Sequence, residues 1–307
     1  MTYTEELAGK HIGIVGFGKE GQATAQFLCS QGFSAHVFDE KPETDFSPHV
    51  VTQLSAVGFT FSFGHDFIDF GALDVLFRTP GVRLATPGIV AARAAGCVIT
   101  SQTVCFLEHC PAMVIGITGT KGKGTTTTLI YQLLQTARAE RLPEAATTVR
   151  GGVYLTGNIG KDDPFALLPT LTADDIVVFE LSSFQLQDVT RSPHIGVCLM
   201  VTREHLDHHA DLSEYHRAKS SIIKFQDAED IAVYAQDYPA SVSIGTSGQG
   251  TAYAFSRTGT VEHGAYVVGE QVHVQDVHGV TGVIDVSGRQ LRGAHNLENI
   301  MAATLVG

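Results

Sequence analysis

A pair of glycine-rich turns narrows the folds open to this chain more than any other feature: Gly16-Phe17-Gly18-Lys19-Glu20-Gly21 and Gly119-Thr120-Lys121-Gly122-Lys123-Gly124-Thr125-Thr126. Each follows a short apolar run, Ile12 to Val15 and Met113 to Ile117, and each opens a helix-length segment. A strand turning on glycine into a helix is the start of a βαβ unit, because glycine admits the turn and the first helical amides remain open to an anion. Further apolar runs bounded by Gly or Pro recur at Ala35 to Phe38, Val75 to Phe77, Cys97 to Ile99, Ile176 to Phe179 and Ile195 to Val201. Helical stretches such as Gln22 to Ser30 and Thr125 to Thr136 lie between them. The alternation predicts an α/β class built on parallel sheets.

A self-contained set of elements ends near Cys110 and Pro111, and a fresh strand and loop begin directly after it. Two domains are expected, a Rossmann-like one over 1–111 and a P-loop ATPase-like one over 112–307 with a largely parallel sheet. Between 250 and 292, short alternating segments separated by Gly259, Gly264, Gly269, Gly279 and Gly288 predict antiparallel hairpins added to the second sheet.

Composition limits the partners. Hydrophobic residues at 44% and charged residues at 17% exclude a disordered chain. A net charge of −12 excludes a general nucleic-acid binder, so any polyanionic ligand must be held locally by the glycine turns. No apolar stretch approaches the roughly 20 residues of a membrane helix. The start, with Glu5 and Glu6, lacks the basic and apolar regions of a signal peptide. A cytoplasmic protein is expected, and its five cysteines, odd in number and without CxxC, are read as reduced thiols.

The first turn meets the conditions of a dinucleotide fold, with Asp39 at the end of the following strand. On these residues alone NAD, another diphosphate ligand and a purely structural turn all remain open. The second turn suits a nucleoside triphosphate: loop amides cradle phosphates, the Lys123 ammonium reaches the outer ones, and a hydroxyl ligates magnesium. It departs from GxxxxGK[ST] at Ile117 and Gly124, so Thr125 must supply that hydroxyl. Glu180, in Phe179-Glu180-Leu181-Ser182-Ser183-Phe184-Gln185, falls at the carboxyl end of an apolar run, where ligands of open α/β sheets sit. It could hold magnesium, and a paired surface glutamate is the plainer reading. His205 and His209 have the spacing of a zinc pair without a third ligand of matching reach. Lys219 by itself reads as a solvated lysine, while Asn296 and Asn299 share one helix face and could read a base edge.

Taken together, Gly119 to Thr125, Gly157-Asn158-Ile159-Gly160, Glu180 to Gln185, Glu204-His205-Leu206-Asp207, Arg217-Ala218-Lys219 and His295 to Asn299 resemble, in order and spacing, the ATP-dependent Mur ligase family. Glu180 to Leu186, with Gly16 to Gly21 and Thr79-Pro80-Gly81-Val82, is similar to the D-glutamate-adding members. The resemblance implies an ATP- and magnesium-dependent enzyme of peptidoglycan synthesis. It would activate the carboxylate of UDP-N-acetylmuramoyl-L-alanine as an acyl phosphate for attack by D-glutamate. It implies that Gly16, Phe17, Gly18, Lys19, Asp39, Thr79 and Gly81 hold the UDP substrate rather than NAD. By the same resemblance Gly119, Thr120, Lys121, Gly122, Lys123, Gly124, Thr125 and Thr126 bind ATP, with Asn296 and Asn299 on adenine. Thr125 and Glu180 would hold one magnesium, and His205 with a carbamylated Lys219 a second. Lys123, His205 and Lys219 would be catalytic, and Asn158, Ser182 and Gln185 would position the muramoyl-alanine end. Gly124 is similar to the folylpolyglutamate branch, which is not expected to carry the Rossmann-like first domain. A silent nucleotide and UDP-sugar binder is the alternative from another class. The family's third, amino-acid-binding domain is absent from these residues, so the chain alone is expected to form no amide at a meaningful rate; a monomer is expected.

Overall fold

Runs of apolar residues become parallel strands here because both of their faces are covered, and the computed structural model of the chain shows this for residues 3–140, 150–160, 162–202 and 211–307. In chain order the elements begin with α1 (Tyr3–Leu7), β1 (Ile12–Val15), α2 (Lys19–Ser30), β2 (His36–Asp39), α3 (Pro48–Ser55), β3 (Thr60–Phe63), β4 (Val75–Arg78), α4 (Pro87–Ala94), β5 (Val98–Thr100) and α5 (Gln102–His109). They continue with β6 (Met113–Thr118), α6 (Lys123–Glu140), β7 (Val153–Gly157), α7 (Pro164–Leu167), β8 (Ile176–Glu180), β9 (Ile195–Cys198) and α8 (Leu212–Ser220). The rest comprises β10 (Ile231–Ala235), α9 (Pro239–Gly245), β11 (Thr251–Ser256), β12 (Gly264–Val268), β13 (Gln271–Asp276), β14 (Gly279–Asp285) and α10 (Ala294–Val306).

The contacts divide the chain into two compact units. One takes residues through His109 together with Asp163–Thr170, and the other takes Cys110–Asp162 and Leu171–Gly307. The division between His109 and Cys110 lies within two residues of the expected boundary, whereas the return of Asp163–Thr170 to the first unit has no signature in the sequence. In that return segment Phe165 is buried and stacks on Phe27 of α2 with ring centroids 4.2 Å apart.

The first unit has a five-stranded parallel sheet ordered β3-β2-β1-β4-β5. All four residues of β1 are buried, as a central strand covered on both faces requires. The order reverses at β1, so the loops after β1 and β4 meet at a switch point. The second unit has a nine-stranded sheet ordered β14-β13-β12-β11-β10-β9-β6-β8-β7, with its switch point at β6, between β8 and β9. Its core gathers Ile115, Ile117, Val178, Val197 and Val233 from the strands with Ile130 of α6 and Met301 of α10. The expected run at Ile195 to Val201 leaves the sheet after Cys198; Leu199 then donates its N–H to Thr118 O (2.9 Å) and Val201 to Ser241 Oγ (3.0 Å).

The hairpin expectation over 250–292 requires a correction. Only β12–β13 and β13–β14 pair antiparallel; β11 pairs in parallel with both β10 and β12. Parallel neighbours ordinarily need a long crossover, and here 257–263 suffices because Asp237 organises the turn. Its carboxylate accepts hydrogen bonds from Ser256 Oγ, Arg257 N and Thr258 Oγ1 at 2.6, 2.9 and 2.7 Å.

Candidate functional site

In the first unit, the turn after β1 is shaped by its own packing. Gly16 has φ +88°, and a β-carbon there would lie 2.0 Å from Thr79 Oγ1. A β-carbon at Gly21 would lie 2.0 Å from Gly16 O, so both glycines are required by the close approach of α2 and Thr79 to the turn. Thr79 donates its N–H and its hydroxyl to Val15 O, each at 3.0 Å. Gly18, at the N-cap of α2, and Gly81 have open space instead, which leaves the helix N-terminus accessible to an anion. Lys19 is exposed at the first helical position.

Two of the expected ligand contacts are turned inward. The Phe17 side chain is fully buried among Phe46, Phe61 and Phe63, so only its backbone belongs to the turn. Asp39 is 8% exposed, and its carboxylate accepts the N–H of Phe17 (2.5 Å) and of Lys41 (2.9 Å). Asp39 thus fixes the turn, because a buried carboxylate must find donors and the loop amides are the nearest.

In the second unit the loop between β6 and α6 lies at the switch point. Lys123 opens α6 and folds its Nζ back onto Gly119 O (3.0 Å) and Thr120 O (3.3 Å). Gly122 has φ +87°, and a β-carbon there would lie 2.4 Å from Asn299 Oδ1. The two asparagines of α10 are buried. Asn299 Oδ1 accepts from Thr126 Oγ1 (3.1 Å), Asn299 Nδ2 donates to Asn296 Oδ1 (3.0 Å), and Asn296 Nδ2 donates to Arg292 O (2.7 Å). In this arrangement Asn299 faces α6, while Asn296 is engaged by Asn299 and Arg292 O.

Glu180 ends β8 beside that loop and is 5% exposed, with Oε2 buried and without a hydrogen-bond partner among the described residues. Burial pushes its carboxyl pKa up, opposed by the Lys123 ammonium and by a hydrogen bond from the Ile159 N–H. A β-carbon at Gly124 would sit 3.9 Å from Oε2, so the oxygen overlooks the first turn of α6, where Thr125 is half-buried. A divalent cation would satisfy this oxygen, and oxygen donors of this kind suit magnesium. The set therefore fits the metal. Beside it lies a cavity of about 720 Å³ lined by Gly124, Thr125, Thr128, Ile159, Arg289 and Ile300, within the size range of small-molecule sites.

Lys219 of α8 is 2% exposed, not solvated: its Nζ donates to Thr118 Oγ1 (3.2 Å) and Gly119 O (2.9 Å). It reaches the same loop from another element. His205 lies outside the described residues, as do Glu204, Asp207 and His209. Ser182 and Gln185 form a closed pair, Gln185 Oε1 accepting from the Ser182 N–H (3.0 Å) and hydroxyl (3.1 Å), while Asn158 is exposed. Arg289, Ile300 and Tyr215 were not singled out from sequence; the only signal for Tyr215 is its place four residues before Lys219.

The chain matches the family descriptions "Mur ligase middle domain" over residues 117–307 and "Mur ligase MurD-like, N-terminal domain" over residues 10–101. It is 34% identical over 298 residues to a UDP-N-acetylmuramoylalanine–D-glutamate ligase of Clostridium tetani, covering 97% of this chain and 61% of that protein. Proteins of the same name from Clostridium novyi and Acetivibrio thermocellus are each 32% identical, with 98% of this chain and 62% of theirs covered. The chain thus spans about 61% of the length of the curated relatives it matches. Among solved structures, UDP-N-acetylmuramate:L-alanyl-gamma-D-glutamyl-meso-diaminopimelate ligase of Neisseria meningitides shares the fold. The TM-score is 0.57 at 20% identity, over 98% of this chain and 94% of that one.

Proposed function

The chain belongs to the Mur ligase family, and from that premise we propose that it carries the ATP and UDP-substrate sites of a cytoplasmic ligase joining D-glutamate to UDP-N-acetylmuramoyl-L-alanine. The observation that carries the reading is the convergence of Lys123, Glu180 and Lys219 on one loop at the switch point of the second sheet.

A carboxylate is inert toward amines, so amide formation needs its oxygen turned into a leaving group. Phosphoryl transfer from ATP to the alanine carboxylate gives an acyl phosphate, and the D-glutamate amine then expels phosphate through a tetrahedral intermediate. Each residue has a part that follows from its place. Loop amides between Gly119 and Thr125, other than that of Thr120, which donates to Met200 O, receive the phosphates, and Lys123 exchanges its carbonyl partners for their outer oxygens. Thr125 and Glu180 would hold magnesium, which offsets phosphate charge when bound. Carbamylation of Lys219, in which its neutral amine adds carbon dioxide and loses a proton, would convert a buried cation into an anionic oxygen donor, and with His205 it would hold a second ion. Asn158, Ser182 and Gln185 would orient the acceptor's alanine, and the open turn at Gly18 and Gly81 would take the diphosphate of UDP.

Gly124 favours a second reading, a ligase of the folylpolyglutamate kind. The MurD-like match over 10–101 supports the first, since that unit then has a UDP ligand to hold. The test is calorimetric titration of the chain with UDP-N-acetylmuramoyl-L-alanine, NAD and a folate monoglutamate. One-to-one binding of the UDP compound alone is expected; NAD or folate binding without a UDP response would overturn the reading.

A further inference from the structure

Thr120 Oγ1 lies 2.9 Å from the hydroxyl of Tyr215, a fully buried side chain on α8. Thr120 also accepts the Thr202 N–H at 3.0 Å and stands 3.2 Å from Thr202 O. A threonine hydroxyl has one proton and two lone pairs. The arrangement uses all of them when Tyr215 donates to Thr120 and Thr120 donates to Thr202 O. Four residues along the same helix face, the Lys219 Nζ sits 4.9 Å from the Tyr215 ring centroid and bonds Thr118 Oγ1 and Gly119 O.

From this geometry we propose that Tyr215 is a positioning residue of the phosphate loop: its hydroxyl tethers Thr120 while its ring seats Lys219, so that one face of α8 fixes three consecutive residues, Thr118 to Thr120. A glycine-rich loop has much freedom to lose, and amides aimed at phosphate in advance spare that loss on binding. The tether ends two residues before Gly122, where the loop turns with positive φ. Tyr215 touches the loop from behind and need not meet the nucleotide. The proposal rests on reading Gly119 to Thr126 as the phosphate loop, and its test separates the two.

Tyr215→Phe keeps the ring and removes the hydroxyl that makes the tether. Hydrogen exchange of the Thr120 amide, which donates to Met200 O at 2.7 Å, measured without nucleotide, should quicken about 3- to 10-fold, the effect of one net hydrogen bond. Affinities for ATP, GTP and inorganic tripolyphosphate, each with magnesium, should fall by a common factor of that size, because the loop and not the base is disturbed. Thr120→Val removes the tether from the other end, and adding Tyr215→Phe to it should change nothing further. Unchanged exchange in Tyr215→Phe, or fully additive effects in the double variant, would overturn the tether. If Tyr215→Phe does not fold, unchanged exchange in Thr120→Val overturns it alone. If the unaltered chain binds none of the three polyphosphates, the nucleotide reading fails while exchange still decides the tether.

Discussion

Glu180 is a buried carboxylate that the fold leaves partly unsatisfied, as a site for the proposed magnesium would require. Its carboxyl is buried with one oxygen lacking a partner among the described residues, and burial raises its pKa above the ordinary 4.5 despite the nearby Lys123 ammonium. Between 4.5, where the unfolded chain releases the proton, and the higher folded value, the folded state binds more protons, so stability falls as pH rises through that window. Glu180→Gln removes the titration. Melted without divalent ions, the variant should be more stable than the parent at pH 7 to 8, and the gap should close below pH 4.5; a gap independent of pH would contradict this. Glu180 was legible in the sequence because the end of an apolar run in an α/β chain is a known address. Lys219 is legible only through the family resemblance and Tyr215 not at all, since a lysine and a tyrosine on a helix by themselves say nothing of a loop some hundred residues away. The positions of Asp39 and Phe17 beside the first turn are legible in the sequence, but that the Asp39 carboxylate accepts loop amides and the Phe17 ring is buried depends on packing that the sequence alone does not give.

At the scale of elements, the first turn separates glycines needed by packing from one left open. Gly16→Ala places a β-carbon 2.0 Å from Thr79 Oγ1 at φ +88°, and should cost at least about 2 kcal/mol of stability. Gly18→Ala meets nothing within 4 Å and should stay within about 0.5 kcal/mol, any further effect falling on affinity for the proposed UDP ligand. Denaturant unfolding of the two variants checks the contrast, and equal losses would sink it. The buried central strands β1, β4, β6 and β8 were legible because each is a continuous apolar run. β7, at the sheet edge, carries half-buried Tyr154 and Leu155, and β3 exposes Thr60, so neither offers such a run. The parallel pairing of β11 with β12 was hidden because the short connection at 257–263 matches a hairpin in length, and the Asp237 contacts that permit it come from outside the segment.

For the molecule as a whole, two units each place a glycine turn at a switch point between parallel strands, and the proposed function gives each turn its own nucleotide. The central claim is that the turn in the second unit is a triphosphate site, and Lys123 is its most exposed point of failure. Its Nζ donates to Gly119 O and Thr120 O of the surface loop, and the side chain is no part of the apolar core, so replacing it should leave the core intact. The decisive measurement is calorimetric titration of the chain and of Lys123→Ala with ATP and magnesium, with melting curves recorded on the same samples. The account predicts one-to-one binding by the parent, an affinity about 10- to 100-fold weaker in the variant, as expected for losing a charged hydrogen-bond donor, and nearly superimposable melts. Undiminished ATP affinity in Lys123→Ala would contradict it.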